Sequence, residues 1–410
     1  MLSPEYLDRF SNQLLAIIDE FSVAVVADIA KRIVRMGNIS ESSRHQIEVL
    51  QNAGMVYEDV IRRISQVSGY TEAEVKRMFE EAAVENIKNE SVYYKAAGKE
   101  IITLNQSRAM QLILAANITK TFGDLSNLTM TTAIKTQTLF VDTCNVVMMQ
   151  VQTGAVSYNK AIADAIKKVA RISTEVLYPT GHVEKLDVAT RRAALTGVNQ
   201  TAAEINLQYA KEARCDYVET TAHAGARPSH AVWQGRVFCI SGNDKEYPPF
   251  YESTGYGTGP GLCGWNCRHN FHAYFPGISS PAYTKSMLRE YDSKNMEYNG
   301  SKYTEYEVSQ MQRAHERKIR EYKRVLAGLN SGMENADDEV RNVLQDEFNK
   351  ESVRLKKQEA ELKELCYQTG RRYESARTQV HATRDSDGNI VGFSRSVSQK
   401  AVWANRKSKN

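Results

Sequence analysis

Side chains able to do chemistry crowd into one stretch of the chain. Between Cys215 and Gly277 lie Cys215, Cys239, Cys263, Cys267, His223, His230, His269 and His272, so four of the six cysteines and four of the eight histidines share a short segment with Trp233 and Trp265. Thiolate and imidazole are the donors zinc prefers, and Cys263-x3-Cys267 has a chelating spacing. His269 and His272 would complete a four-donor set, with His223, His230, Cys215 and Cys239 as further donors upstream. However, His269-x2-His272 is tighter than the usual spacing of paired histidines, and no linker of the usual length separates it from the cysteines. The competing reading is that small buried cysteines and hydrogen-bonded histidines pack a loop-rich module short of apolar residues. The spacing favours packing and no cofactor; zinc is the one cofactor these residues would take.

Other patterns in the stretch fail on context. Gly259-Pro260-Gly261-Leu262-Cys263-Gly264 fits G-x-G-x-x-G, but no apolar strand precedes it and no helical pattern follows, so it reads as a glycine loop. Cys263-Gly264-Trp265-Asn266-Cys267 has the look of a cysteine-nucleophile neighbourhood without a partnered base. His269-Asn270-x-His272 is too compressed for a histidine/asparagine nuclease centre. No carboxylate falls between Cys263 and Phe275 to act as a general base, and no phosphate loop, H-E-x-x-H or G-x-S-x-G occurs. No residue is therefore assigned to catalysis. Architectural roles are expected for Trp233, Gly235, Trp265 and Arg227. Trp233 to Ile240 alternates like a short strand entered through Gly235, with the Trp233 indole as anchor. Trp265 sits among Phe271, Tyr274 and Phe275, a mix suited to packing, and Arg227 either pairs with a carboxylate such as Glu219, the favoured choice, or contacts a partner.

The elements that must hold this stretch are set out by proline. Pro4 is the one proline before Pro179, six prolines run from Pro228 to Pro281, and none follows. A mainly α fold is expected, with long N-terminal helices, a small α+β loop-rich Cys/His module and a C-terminal helical hairpin. Leu7, Phe10, Leu14, Ile17, Phe21, Val25, Ile29 and Ile33 recur at steps of three and four, one face of a helix of about seven turns, with Asp8, Asp19, Glu20, Lys31 and Arg32 on its polar side. That face exceeds what a small module covers, so part of it is expected to be buried in a neighbouring protein. Thr71-Glu72-Ala73-Glu74 reads as a capping box starting a second helix through Val75, Met78, Phe79 and Val84. Further helices are expected over 108–121, 129–152, 158–171 and 189–213.

Val308, Met311, His315, Ile319, Tyr322, Leu326 and Leu329 form a heptad-like seam, broken at Asn330-Ser331-Gly332 and resumed by Val340, Leu344, Phe348, Leu355, Leu362 and Cys366. This predicts an antiparallel helical hairpin with a shallow seam and a solvated, charged surface, adding little to the stability of the central module. A β-hairpin over 379–393, turning at Asp385 to Asn389, and a basic tail with Arg406, Lys407 and Lys409 end the chain. The expected domains are 1–180, 181–281, 282–378 and 379–410.

At 410 residues and 42% hydrophobic content the chain has material for two or three cored domains. Lys plus Arg number 53 against 49 Asp plus Glu, and a formal charge of +4 is too balanced for a dedicated nucleic-acid binder. Cysteine is too sparse for a disulfide scaffold, which points to a reducing compartment. The N-terminus lacks a basic n-region, and the apolar stretch 128–151 carries Lys135 and Asp142, so neither a signal peptide nor a membrane span is expected.

Several separate motifs occur in an order that carries a resemblance. Leu186-Asp187-Val188-Ala189-Thr190-Arg191-Arg192-Ala193-Ala194-Leu195-Thr196-Gly197-Val198-Asn199-Gln200, then the stretches His223 to His230, Trp233 to Phe238 and Gly261 to Pro276, resemble the minor capsid protein 2 family of tailed bacteriophages that infect Gram-positive bacteria. The helix pattern Ala161 to Ala170 and the Tyr178-Pro179-Thr180-Gly181-His182 that follows it also match, so the resemblance spans roughly Leu7 to Gly277 and fades after Pro281. It implies a low-copy virion structural protein of the head, made in the host cytoplasm and placed near the portal and the capsid interior. The portal protein, the major capsid protein or both are the implied partners, with non-specific contact to packaged DNA as a further one. In role it is similar to head-morphogenesis proteins related to the Mu F protein, whose module also ends in a Cys- and His-bearing loop; the spacing of Cys263 to His272 departs from that pattern. The alternative class is a metal-dependent nuclease or hydrolase effector using the Cys/His module.

Overall fold

Helical periodicity dominates, and 67% of the described residues are helical, with a few short strands, the mainly α architecture the pattern predicts. The computed structural model describes residues 1–4, 6–7, 12–36, 42–380, 382–384 and 390–393. The elements run α1 (Asn12–Met36), α2 (Ser42–Ala96), α3 (Arg108–Gln152), α4 (Tyr158–Ile172), β1 (Glu175–Leu177), β2 (Val183–Lys185), α5 (Leu186–Glu212), β3 (Tyr217–Thr220), α6 (Pro228–Ala231) and β4 (Val237–Cys239). They continue with α7 (Phe250–Thr254), β5 (Phe271–Ala273), α8 (Lys285–Tyr291), β6 (Met296–Tyr298), β7 (Ser301–Tyr303), α9 (Glu305–Met333), α10 (Asp338–Thr369), β8 (Ala382–Arg384) and β9 (Ile390–Phe393). Among the described residues no helix is long and apolar enough to cross a membrane.

Two expected helix starts are absorbed into longer helices. Thr71 to Glu74 lies inside α2, where Glu74 pairs with Arg77 at 2.7 Å and reinforces the helix instead of opening it. The expected segments 108–121 and 129–152 are one helix, α3. The threonines between them do not cap: Thr129 donates to Ser126 O at 2.8 Å, Thr131 to Asn127 O at 2.9 Å and Thr132 to Leu128 O at 2.9 Å, each hydroxyl turned back onto its own helix. At the other end α9 continues to Met333, past Asn330-Ser331-Gly332, and α10 starts where Asp337 caps it by accepting from Val340 N at 2.9 Å.

The chain forms two compact units. One comprises the described residues of Asn12–Thr71, Ser126–Thr190 and Gln312–Asn410. In it α1 packs on α4 and α4 on α10, and Ile29, Ile166, Leu326, Leu329 and Leu344 share one core with Phe21 and Phe348. The helices approach closely because Gly328 has no side chain: a Cβ there would lie 3.0 Å from Val26 and 3.2 Å from Ile166. Two expectations change here. Leu14, Ile17, Phe21, Val25, Ile29 and Ile33 are each at most 4% exposed, so the α1 stripe is covered by the chain's own helices and offers no free docking face; Leu7 precedes α1, and Asp8 and Phe10 lie outside the described residues. The seam of α9 and α10 is likewise no shallow appendage, because Leu326 and Leu344 are fully buried in this core.

The same unit buries an ionic cluster. Arg320 donates to Asp187 Oδ2 at 2.7 and 3.0 Å, and Arg324 donates to Asp19 Oδ1 at 3.4 Å. At its end β8 and β9 pair antiparallel, Ala382 opposite Phe393; the turn 385–389, His381 and the basic tail lie outside the described residues.

The other unit comprises the described residues of Met1–Ser11, Glu72–Leu125 and Arg191–Met311. Its sheet has the order β4-β3-β5, all antiparallel, with Val218 opposite both Phe238 and Ala273. Val218, Trp233, Phe238, Phe250, Leu262 and Phe271 form a small core around it, joined by Cys263 and Cys267. α5 is held to this sheet by asparagines. Asn206 donates to Phe271 O at 2.9 Å and Asn199 to His269 O at 2.8 Å, while Asn270 returns a bond to Asn199 Oδ1 at 2.8 Å. Buried amides fully engaged in this way fix one register of helix on sheet.

Candidate functional site

The Cys/His module is built on tight turns. Gly259, Gly261 and Gly264 have no room for a side chain; a Cβ on Gly261 would sit 1.9 Å from Gly255 O, and one on Gly264 2.2 Å from Gly259 O. This winding brings Cys263 and Cys267 inward, with Cys263 itself held at φ 57°, a conformation rare for a residue bearing a Cβ. Trp265, between them, points out and is 60% exposed, its ring covering Gly259; it is not the packing residue expected.

Three donors converge. His230 on α6, and Cys267 and His269 ahead of β5, place one donor atom each within 4.8 Å of the others. Nδ1 of His230 lies 3.4 Å from Nδ1 of His269, and Sγ of Cys267 lies 3.6 Å from the first and 3.7 Å from the second. All three residues are at most 2% exposed. Burial pushes the His230 imidazole down to about 4 and His269 well below its ordinary range, and pushes the Cys267 thiol up to about 11, so all three are neutral at pH 7.

Their surroundings fix the tautomers. His230 Nε2 contacts Pro260 O at 2.8 Å, and a carbonyl oxygen only accepts, so Nε2 carries the proton. His269 Nε2 contacts Gln234 Oε1 at 3.0 Å, and the same oxygen accepts the backbone N–H of His223, which identifies it as the carboxamide oxygen. Both Nδ1 atoms are therefore bare lone pairs aimed into the space they share with the sulfur.

The other sequence candidates do not contribute a donor to this triangle. His272 stands on β5 opposite Glu219 of β3, with its Nε2 3.7 Å from Glu219 Oε2 and its ring stacked on Tyr93 at 4.0 Å. Strand alternation separates it from Phe271, whose ring enters the core. Burial pushes Glu219 up to about 7 and His272 down to about 4, so the imidazole is neutral at pH 7. A carboxylate thus does reach a histidine of the module, from outside the run of Cys263 to Phe275. Cys263 directs its thiol at His269 O, 3.4 Å away, and His223 stacks on His269 at 4.3 Å between ring centres. Cys215 and Cys239 bond elsewhere, to Tyr217 O and to Asp216.

The expected architectural residues also move. Trp233 belongs to the turn after α6, not to a strand; Gln234 N donates to His230 O, Gly235 follows at φ 63°, and β4 begins only at Val237. The Trp233 ring lies 4.6 Å from His230 and 4.9 Å from His269, walling the cluster. Arg227 donates to Trp265 O, not to Glu219, which is buried in the sheet and accepts from Ala282 N at 2.8 Å. Gln234, Pro260, Asn199, Asn206 and Asn270 hold the site, and none of them was assigned a site role from sequence. The spacing of seven between Asn199 and Asn206, two turns along one helix face, was the signal available for two of them.

Comparison with known proteins supplies the family. The family described as phage minor capsid protein 2 matches residues 2–366. A "Structural protein" of Lactococcus phage LL-H is 28% identical over 191 residues, 45% of this chain and 48% of that protein. A "Structural protein" of Lactococcus phage mv4 is 36% identical over 93 residues, 22% of this chain and 66% of that protein. The chain thus spans about half the length of the first of these curated relatives and under two thirds of the second. No solved structure matches. With the match covering nearly the whole chain, this protein belongs to the phage minor capsid protein 2 family, a family of virion structural proteins.

Proposed function

We propose that the chain acts as a non-enzymatic structural component of the phage head, bound to the portal protein or the major capsid protein after assembly in the host cytoplasm. The family match over residues 2–366 carries the virion role. The burial of His230, Cys267, His269 and the Glu219–His272 pair supports the absence of turnover, since each of these groups is at most 2% exposed and a substrate has no direct approach to them. The α1 stripe is spent on the chain's own core and is not offered to a partner.

The test is co-expression of the full chain with the cognate portal protein and, separately, with the major capsid protein, together with mass spectrometry of purified particles. Stoichiometric co-purification with one of the two and presence in the particle are expected. Absence from particles, or recovery only as a free protein that turns over nucleic acid or peptidoglycan, would reverse the assignment.

A further inference from the structure

We propose that His230 Nδ1, Cys267 Sγ and His269 Nδ1 are three ligands of a structural zinc ion, independent of where the chain sits in the particle. At zinc's ordinary bond lengths, about 2.0–2.1 Å to nitrogen and about 2.3 Å to sulfur, tetrahedral angles separate two nitrogens by about 3.3–3.4 Å and a nitrogen from a sulfur by about 3.6 Å. The observed triangle has sides of 3.4, 3.6 and 3.7 Å. The agreement covers all three sides, and it joins donors 30 or more residues apart, His230 on one side and Cys267 and His269 on the other.

Hydrogen bonding gives the second, independent argument. With Nε2 of each histidine committed to Pro260 O and to Gln234 Oε1, two Nδ1 lone pairs face each other and the thiol has one proton to offer them. One lone pair is left opposed to another in a buried site, and a buried acceptor without a donor is unfavourable. A cation at the point the donors share removes that opposition. The outer contacts also have the form metal sites use, an acceptor on the far nitrogen of each ligating imidazole that holds the ring and its tautomer. Binding displaces a single proton: the thiol loses its hydrogen to solvent, Zn²⁺ is held by one thiolate and the two Nδ1 lone pairs, and a water entering with the ion would take the fourth tetrahedral position. The ion would tie α6 to the Cys267–His269 segment, a staple where the module has few apolar residues.

This set differs from the one the spacing suggests. His230 replaces His272, which strand alternation turns toward Glu219, and Cys263 is directed at a carbonyl.

The experiment uses the full chain purified without chelators. Metal analysis is expected to find about one zinc per chain. Cobalt exchanged for zinc is expected to give the visible bands of a tetrahedral ion and a near-ultraviolet thiolate-to-metal transition. Cys267→Ser and His230→Gln should each lose the metal, whereas Cys239→Ser should keep it. Gln234→Leu leaves the three donors intact and removes the acceptor on His269, so it should weaken zinc binding by about 10- to 100-fold in competition with a chromophoric chelator. Should the ligand variants fail to fold, the cobalt spectrum of the unmutated chain and the Gln234→Leu affinity decide. A chain that takes up no zinc when supplied with it, a cobalt complex without the thiolate transition, or full zinc retention in folded Cys267→Ser would overturn the proposal.

Discussion

Asp19 and Asp187 lean on the same arginines and are driven in opposite directions. Burial pushes Asp19 up to about 7 despite Arg320, whereas Arg320 and Arg324, against the push of burial, hold Asp187 down to about 2. Each shift is a slope of stability on pH. Asp187 binds its proton less readily when folded, so its contribution is present above its ordinary value of 3.8 and is lost as pH falls toward 2. Asp19 holds its proton when folded, so its contribution is present below 3.8 and is lost as pH rises toward 7. Urea midpoints against pH should therefore separate two variants. Asp187→Asn should be destabilised by about 3–5 kcal/mol at pH 6, as for any broken buried pair, with the deficit shrinking toward pH 2. Asp19→Asn should gain on the unmutated protein as pH rises from about 4 to about 7. Parallel curves for all three proteins would contradict the assignment. At this same scale the candidate site was half legible. Density of Cys and His picked out Cys267 and His269 and kept His230 among the further donors, but the carbonyl of Pro260 leaves no mark in a side-chain pattern. His272 was misplaced because a β-strand turns alternate residues to opposite faces, and the strand there is only three residues long, Phe271–Ala273.

Elements were legible wherever apolar residues recur at helical steps, and their ends were not. The expected 158–171 and 189–213 correspond to α4 and α5 within three residues at each end. Thr129 was misread as a boundary because a hydroxyl that can cap a helix can also bond back to a carbonyl one turn earlier, and sequence does not choose between them. The seam of α9 and α10 was read correctly in its positions and wrongly in its depth, since periodicity names a face without naming what covers it. Leu344 tests the difference. It is fully buried beside Gly332 and Ile166, so Leu344→Ala should cost about 2–5 kcal/mol and lower the hydrogen-exchange protection of α1 and α4 together with α10. Loss of protection in α9 and α10 alone would return the hairpin to the status of an appendage.

At the scale of the whole molecule, a nearly neutral chain with a mainly α fold is organised as two compact units drawn from interleaved segments. Composition revealed the first property and could not reveal the second, because interleaving depends on long-range contacts between residues such as Val26 and Gly328, which lie 302 positions apart (328 − 26). Two apolar clusters, one in each unit, are of different kinds. One is aliphatic and helical, around Ile166 and Leu344; the other is aromatic and small, around Phe238, Phe250 and Phe271, supplemented by asparagine bonds and the Cys/His cluster. A core of the second kind has less apolar area to lose and depends more on polar contacts with strict geometry, so it should respond separately. Phe238→Ala, which empties a fully buried position in the sheet unit, should lower that unit's stability by about 3–5 kcal/mol. Guanidinium unfolding followed by hydrogen exchange should then resolve two transitions, with amides of 217–220 and 271–273 opening early and those of α4 and α10 keeping their original midpoint. If all of these amides shift together by the same amount, the two units unfold as one cooperative body and the division into separate cores does not govern stability.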